Sequence, residues 1–193
     1  MCIRDREKTM AHEQTYTLNN TQYPLAMFVR DIDDRRDGKE PKERYIVNQD
    51  YQRGFVWDEK RKRNLICSLT MGLPIGVLVI NDRTWNDDNF NGTQGHIPFG
   101  NAVIDGKQRL GAIRGFYNDE FSVPANWFEE DRLEEGFDKE EVFFSELSDS
   151  GQLWFGNRPI PVSMARLETI EQERRIFDLI NFGGVVQGDS DND

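Results

Sequence analysis

Apolar residues along this chain recur at two spacings, and the spacing changes wherever turn residues intervene. Between Tyr23 and Arg35, the positions of Leu25, Met27, Phe28 and Ile32 predict a short amphipathic helix with Pro24 in its first turn. Asp37-Gly38 closes it before a polar loop from Lys39 to Arg44. Tyr45-Ile46-Val47 reads as a strand, followed by the irregular stretch Asn48 to Gly54. Asp58 then caps a helix that runs to Met71, with Leu65, Ile66 and Leu69 on one face and Gly72 as its stop. Val77-Leu78-Val79-Ile80 is apolar and β-branched, which predicts a buried strand. Asp82 to Gly100 is polar and rich in Asn and Gly, a long surface loop or hairpin.

The second half continues the alternation. Ala102-Val103-Ile104 predicts a strand that stops at Asp105-Gly106 and turns straight into a helix with Leu110, Ile113 and Phe116 on one face. Glu129 to Leu147 reads as acidic helical material, and Ile160 to Leu167 as another strand. Thr169 and Gln172 form a capping box for a final helix, Ile170 to Ile180, ended by Gly183-Gly184. No internal repeat is present.

Composition narrows this picture. A chain of 193 residues with 13 Phe and 4 Trp can bury one real core. No apolar run approaches the roughly 18–20 residues of a membrane span. The N-terminus has no apolar signal region, so the expected compartment is the cytoplasm. Met1 to Thr9 has neither periodicity nor caps and resembles a translated sequencing-adapter leader, which makes Met10 the expected start. Residues 10–184 are expected to form one domain with an insert at about 119–157, and 185–193 an acidic disordered tail.

Two cysteines, Cys2 and Cys67, make neither a disulfide framework nor a metal cluster, and Cys67 among Leu65, Ile66 and Leu69 reads as a buried thiol. His12 and His96 sit in polar stretches without partners at ligand spacing and read as surface residues. Two histidines and two cysteines cannot build a zinc or HNH-type nuclease centre.

The net charge of −11 opposes non-specific binding to DNA. The charge is uneven, however: Arg53 and Lys60 to Arg63 supply five cations, whereas Glu129 to Asp149 holds ten acidic residues against Arg132 and Lys139. A local anion site on an acidic protein is compatible with this distribution, as are two oppositely charged solvated faces.

The candidate chemistry lies in Ala102-Val103-Ile104-Asp105-Gly106-Lys107-Gln108-Arg109-Leu110. A strand–Gly–helix junction points backbone N–H groups outward, and here it carries two cations, a place to hold a phosphate. Asp-Gly is also a common turn, and Arg109 paired with a local carboxylate is the plainer alternative. Phe55 and Trp57 read as core or wall residues.

Four blocks stand in a telling order: Tyr51-Gln52-Arg53-Gly54-Phe55-Val56-Trp57, Gly72-Leu73-Pro74-Ile75, Ile104-Asp105-Gly106-Lys107-Gln108-Arg109-Leu110, and Ile176 to Gly184. Together they resemble the ParB/sulfiredoxin-like domains with an Asp-Gly-Gln-Gln-Arg motif found at the N-terminus of GmrSD-type modification-dependent restriction enzymes. The resemblance covers about Tyr45 to Gly184. It implies an α+β fold, a small mixed sheet flanked by helices, that binds and hydrolyses a nucleoside triphosphate with Mg²⁺. It also implies partnership with a nuclease domain or subunit, and with DNA through it, in a restriction or phage-conflict system. Carried over residue by residue, Asp105 would orient a metal-bound or attacking water, and Gln108 and Arg109 would contact the triphosphate and stabilise developing charge. Gly106 would let the backbone approach the phosphates, Lys107 and Arg53 would bind them, and Gln52 would shape the earlier loop.

Lys107 departs from the pattern, standing where the family usually has Gln and where related ParB proteins have Glu. An ammonium strengthens phosphate binding but cannot accept a proton or order water as those side chains can. Binding is therefore the firmer expectation, and hydrolysis the weaker. Sulfiredoxins place their reactive Cys at this position, so sulfinic-acid reduction is disfavoured. A DNA-binding or nuclease module and a non-catalytic interaction domain stand as alternatives.

Overall fold

A computed structural model describes residues 16–31, 45–47, 51–52, 54–83 and 101–183. Its elements in chain order are β1 (Leu18–Pro24), α1 (Leu25–Asp31), β2 (Tyr45–Ile46), α2 (Glu59–Thr70), β3 (Leu78–Asn81), β4 (Asn101–Asp105), α3 (Lys107–Tyr117), β5 (Val123–Pro124), β6 (Glu141–Val142), α4 (Asp149–Gly156), β7 (Pro159–Ala165) and α5 (Ile170–Gly183). Five strands form one mixed sheet in the order β1-β7-β3-β4-β2, and β5 and β6 make a separate two-stranded pair. Strands β1/β7 and β3/β4 run antiparallel, while β3/β7 and β2/β4 run parallel. The molecule is an α+β fold, as expected.

The sheet separates two apolar layers, because successive side chains of a strand point to opposite faces. Leu78, Ile80, Val103, Ile160 and Val162 join one core with Leu25 and Phe28 of α1, Leu65, Ile66 and Leu69 of α2, and Leu110, Ile113 and Phe116 of α3. Val79, Ile104 and Ala165 face the other way, against Leu167 and Ile176 at α5. All four residues of β3 are buried, the signature of a strand covered on both faces.

The caps fall where the side chains dictate. Asp58 accepts the Arg61 N–H at the start of α2. Just beyond the end of that helix, Gly72 takes a φ of 71°, the left-handed stop that glycine adopts most readily. At α5, Thr169 Oγ1 accepts the Gln172 N–H at 3.2 Å. Gln172 Oε1 in turn accepts the Thr169 N–H at 3.3 Å, which closes the capping box.

Three sequence expectations are corrected. Residues 18–24 form a strand, so Pro24 ends β1 and α1 begins after it. Among the described residues Leu18 to Pro24 pairs with β7 alone, and this polar edge strand carries no apolar alternation to read. Glu129 to Leu147 is not helical: it holds the 3₁₀ turns Glu130–Arg132 and Phe144–Glu146 and the strand β6, with Leu133 bridged to Leu147. Gly136 at φ +76° interrupts any helix there, and Leu133, Phe137, Val142 and Leu147 are anchored separately to the main core. Cys67 is half-buried, its Sγ lying 3.7 Å from Met71 Sδ. It follows Ile66 by about 100° around the helix, which carries it off the buried face.

Side chains of the 119–157 region, among them Phe121, Val123, Phe128, Leu147 and Phe155, lie in the same core as the helices. Gly151 lets α4 close on this region, since a Cβ there would meet the Arg132 carbonyl oxygen at 2.1 Å. The expected end of the first helix at residues 32–35, the loop at 37–44, Asn48 to Asp50, Arg53, the loop from residue 84 to 100, Gly184, the leader, the tail, Cys2, His12 and His96 lie outside the described residues.

Candidate anion-binding cleft

Strand β4 and helix α3 meet at Gly106, which takes a φ of 109°, a conformation that admits no other residue easily. A Cβ at this position would also lie 2.2 Å from Leu78 Cδ2, so both conformation and space require glycine. Gly106 is the N-cap of α3 and offers no side chain, so the N–H groups of the first turn receive no side-chain cap. The segments around this terminus leave a cleft of about 220 Å³ lined by Gln52, Trp57, residues 104–109, Phe177 and Asn181.

Lys107, the first residue of α3, is only 8% exposed. Its ammonium lies 5.1 Å from the centroid of the Phe55 ring, within the range of a cation–π contact. Among the described residues no carboxylate pairs with it. Burial lowers its pKa, since desolvation disfavours the charged form. A buried cation without a counter-charge beside an uncapped helix N-terminus is an arrangement that an anion would complete.

Its two neighbours are spent differently. Gln108 Oε1 accepts the Val56 and Trp57 N–H groups, at 2.9 and 3.3 Å, and its Nε2 donates to the Gly54 carbonyl at 2.8 Å. It therefore clamps residues 54–57 to the helix. Arg109 donates to the Ile75 and Val77 carbonyls, both at 3.0 Å, and to Asp105 Oδ2 at 2.7 Å. Burial pulls its pKa down and Asp105 pulls it back, while the guanidinium remains protonated under any ordinary condition. Gly76 passes so close that a Cβ would lie 2.7 Å from Arg109 Nη1. The plainer alternative for Arg109, a local carboxylate partner, is what the geometry displays.

Gln52 enters from the loop before α2. Its Nε2 donates to the Val103 carbonyl at 2.8 Å and the Ile104 carbonyl at 2.6 Å. The β3/β4 ladder shifts register here, pairing Val79 with Asp105 but Ile80 with Val103, which leaves Ile104 as the extra residue of a bulge. Gln52 satisfies carbonyls at this bulge, yet its own Oε1 is buried with no hydrogen-bond partner among the described residues. Trp57 lines the cleft wall as expected, whereas Phe55 is 54% exposed and lies across Gly111, where a Cβ would be 2.4 Å from its ring.

One buried network bordering the cleft escaped the sequence. Arg83 makes a two-pronged ion pair with Glu173, Nε to Oε1 at 2.8 Å and Nη2 to Oε2 at 2.6 Å, and both residues are buried. Asn81 Nδ2 also donates to Glu173 at 2.7 Å, and the Tyr51 hydroxyl donates to it at 3.2 Å. Burial, then the Glu173 charge, pushes the Tyr51 pKa well above its ordinary value. This network ties α5, which carries the cleft residues Phe177 and Asn181, to β3 and to the segment carrying Gln52. The four side chains come from three distant stretches, and no local pattern could have joined them.

The cationic run at the start of α2 is partly neutralised. Arg63 pairs with Glu141 and Glu59, and Lys62 lies 6.0 Å from the Phe121 ring centroid. Among the described residues no group of three or more His, Cys, Asp or Glu side chains could hold a metal ion, and no helix is long and apolar enough to cross a membrane.

The site thus defines an α+β domain with a cationic cleft at a strand–glycine–helix junction. Residues 32–192 match the family described as the N-terminal domain of the GmrSD restriction endonuclease, and the chain belongs to that family. No curated protein and no solved structure matches it.

Proposed function

We propose that this domain binds the phosphate chain of a nucleoside triphosphate at the β4–α3 junction, as the ligand-sensing part of a restriction or phage-defence system. The observation that carries the reading is Lys107, a buried ammonium without a counter-charge among the described residues, at an uncapped helix N-terminus. Membership of the family of GmrSD restriction endonuclease N-terminal domains supports a partnership with a nuclease domain or subunit, and with DNA through it. The ParB-like likeness rests on the motif order of the four sequence blocks.

The donor set suits phosphate. Lys107 and the first-turn N–H groups supply positive potential, and Gly106 permits close approach. Mg²⁺ keeps most of its waters and takes one or two carboxylates together with phosphate oxygens. Asp105, which borders the cleft, is the carboxylate that would meet a phosphate-bound Mg²⁺.

Binding is favoured over hydrolysis. Asp105 already accepts from Arg109, and both ends of the Gln108 amide hold residues 54–57, so neither is disposed to activate water. Gln108 and Arg109 act in this reading as positioning residues that shape the walls of the cleft.

Equilibrium titration of labelled nucleoside triphosphates with Mg²⁺ tests the proposal. Lys107→Met is expected to weaken binding at least about tenfold, the scale of a lost charge-assisted contact. Unchanged affinity in that variant would remove the site assignment. Turnover measured alongside is expected to be negligible in the wild type and to rise in Lys107→Gln.

A further inference from the structure

We propose that Phe55 is a movable cover over Lys107, closed in this structure, and that an anion gains full contact with the ammonium when residues 54–57 lift from α3. The proposal takes its ligand from the phosphate-binding reading above and adds a regulation of that site.

Lys107 and Gly111 stand four positions apart on α3, so they lie one above the other on the same face. A glycine inside a helix is costly, and here it makes room for a close approach. The Phe55 ring fills the space, since a Cβ on Gly111 would lie 2.4 Å from its Cε1. From that seat the ring reaches the preceding turn, with its centroid 5.1 Å from the Lys107 ammonium. Lys107 is 8% exposed, whereas Phe55 is 54% exposed. The ring thus has one side against the helix and the other in water, a cover one side chain thick.

This cover is lightly fastened. Gln108 holds residues 54–57 to α3 through three hydrogen bonds, two accepted from Val56 and Trp57 and one donated to Gly54. Water can replace each of them at small net cost. Val56 is also about half exposed, so lifting the segment gives up little apolar burial. Segments with few buried contacts and exposed hydrogen bonds open at low free energy. Opening frees Lys107 from the ring, and an anion then takes the place of the cation–π contact.

A cover and a fixed wall differ in the sign of their effect on binding. Where the competent state is the open one, apparent affinity is reduced by the open fraction, so unseating Phe55 tightens binding. Were Phe55 a wall that positions the ammonium, unseating it would weaken binding.

Two measurements on the full chain test the proposal. Trace acetylation with acetic anhydride, read by mass spectrometry, compares Lys107 with Lys60, which is exposed at the start of α2. The lowered pKa of Lys107 would by itself quicken its reaction, so slow labelling reports the cover. Wild-type Lys107 is expected to react at least about tenfold more slowly than Lys60, and Phe55→Ala to remove most of that difference. Gly111→Ala places a methyl group where the ring sits while favouring the helix, so it displaces the cover and keeps the fold. The same exposure of Lys107 is expected in it. Calorimetric titration with tripolyphosphate is expected to show roughly three- to tenfold tighter binding in both variants.

Wild-type Lys107 labelling as fast as Lys60, or staying protected in both variants, would overturn the proposal. Tripolyphosphate that binds the wild type but no more tightly in either variant would overturn it too. If labelling follows the expected pattern and tripolyphosphate binds none of the three proteins, the cover stands and the phosphate reading fails.

Discussion

Lys107 is held in surroundings that disfavour its own charge. Burial lowers its pKa, so the folded state bears a desolvation cost for keeping an ammonium beside the Phe55 ring. Removing the charge while retaining the packing should therefore stabilise the fold. Lys107→Met is expected to raise the melting temperature by about 2–4 °C, corresponding to ~1 kcal/mol for a chain of this length, while nucleotide affinity falls. The advantage should narrow at alkaline pH. Between the lowered folded value and the ordinary value of 10.5, the unfolded chain binds more protons than the folded one, so wild-type stability rises with pH through that window. Thermal melts of both proteins across this range check the sign. Wild-type melting that already exceeds Lys107→Met at neutral pH without ligand would contradict the account.

A second prediction at this scale concerns Glu173. Its carboxylate receives Arg83, Asn81 and Tyr51 inside the protein, and Glu173→Ala would strip a buried guanidinium of its counter-charge. A loss of about 3–5 kcal/mol is expected by urea denaturation. Glu171→Ala, at an exposed site on the same helix, is expected to leave stability almost unchanged. Comparable effects at the two positions would deny the network its role in seating α5.

At the level of elements, the junction between β4 and α3 was the most legible feature of the chain. A β-branched run, Asp-Gly and a periodic segment together specify a strand, a left-handed turn and a helix, because glycine alone adopts the positive φ of Gly106 without penalty. Gly106→Ala faces both that penalty and the Leu78 side chain. It should destabilise by at least about 1 kcal/mol while weakening nucleotide binding. Asp58→Ala removes only the α2 cap. That loss is expected to cost about 1 kcal/mol with nucleotide affinity retained. Chemical denaturation and titration of the two variants together distinguish a shaped site from general loss of stability.

Other elements were opaque for reasons that can be named. Residues 18–24 lack alternation because an edge strand with polar residues on it has little to bury. The acidic stretch from Glu129 invites a helical reading, since Glu favours helices, yet Gly136 and the separate anchoring of Leu133, Val142 and Leu147 override that propensity. Within the site, Gln108 and Arg109 were legible as residue types but not as partners. Their hydrogen bonds reach residues 54–57 and 75–77, far away along the chain, and helical periodicity says nothing about such contacts.

Across the whole molecule the acidic excess is put to structural use near Glu141 and Glu146. Hydrogen bonds from Ser122 and Arg63 hold the Glu141 pKa below its ordinary value of 4.5, and those from Lys139 and the Phe143 N–H do the same for Glu146. Groups with lowered carboxyl values contribute stability above the unfolded value and lose it as pH falls through the folded one. Acid unfolding is therefore expected to begin below about pH 4.5, with the 119–157 region losing hydrogen-exchange protection before the central sheet. Simultaneous loss in both regions would show that these carboxylates do not tether that segment separately.

The amino-acid sequence by itself determined the α+β character, the capped ends of α2 and α5, the buried strand β3 and the strand–glycine–helix junction. All of these follow from local chemistry: spacing of apolar residues, cap side chains and the freedom of glycine. The order of four motifs also sufficed to indicate the family to which the chain belongs. Tertiary structure alone decided what each motif residue faces. It separated Lys107, buried without a counter-charge among the described residues, from Arg109, already paired with Asp105, although the two stand two positions apart. The register shift in β4 presents the Val103 and Ile104 carbonyls to the Gln52 nitrogen, while its oxygen has no partner among the described residues. Burial and partnership arise from chain segments distant in sequence, and they assign different parts to neighbouring residues of one motif.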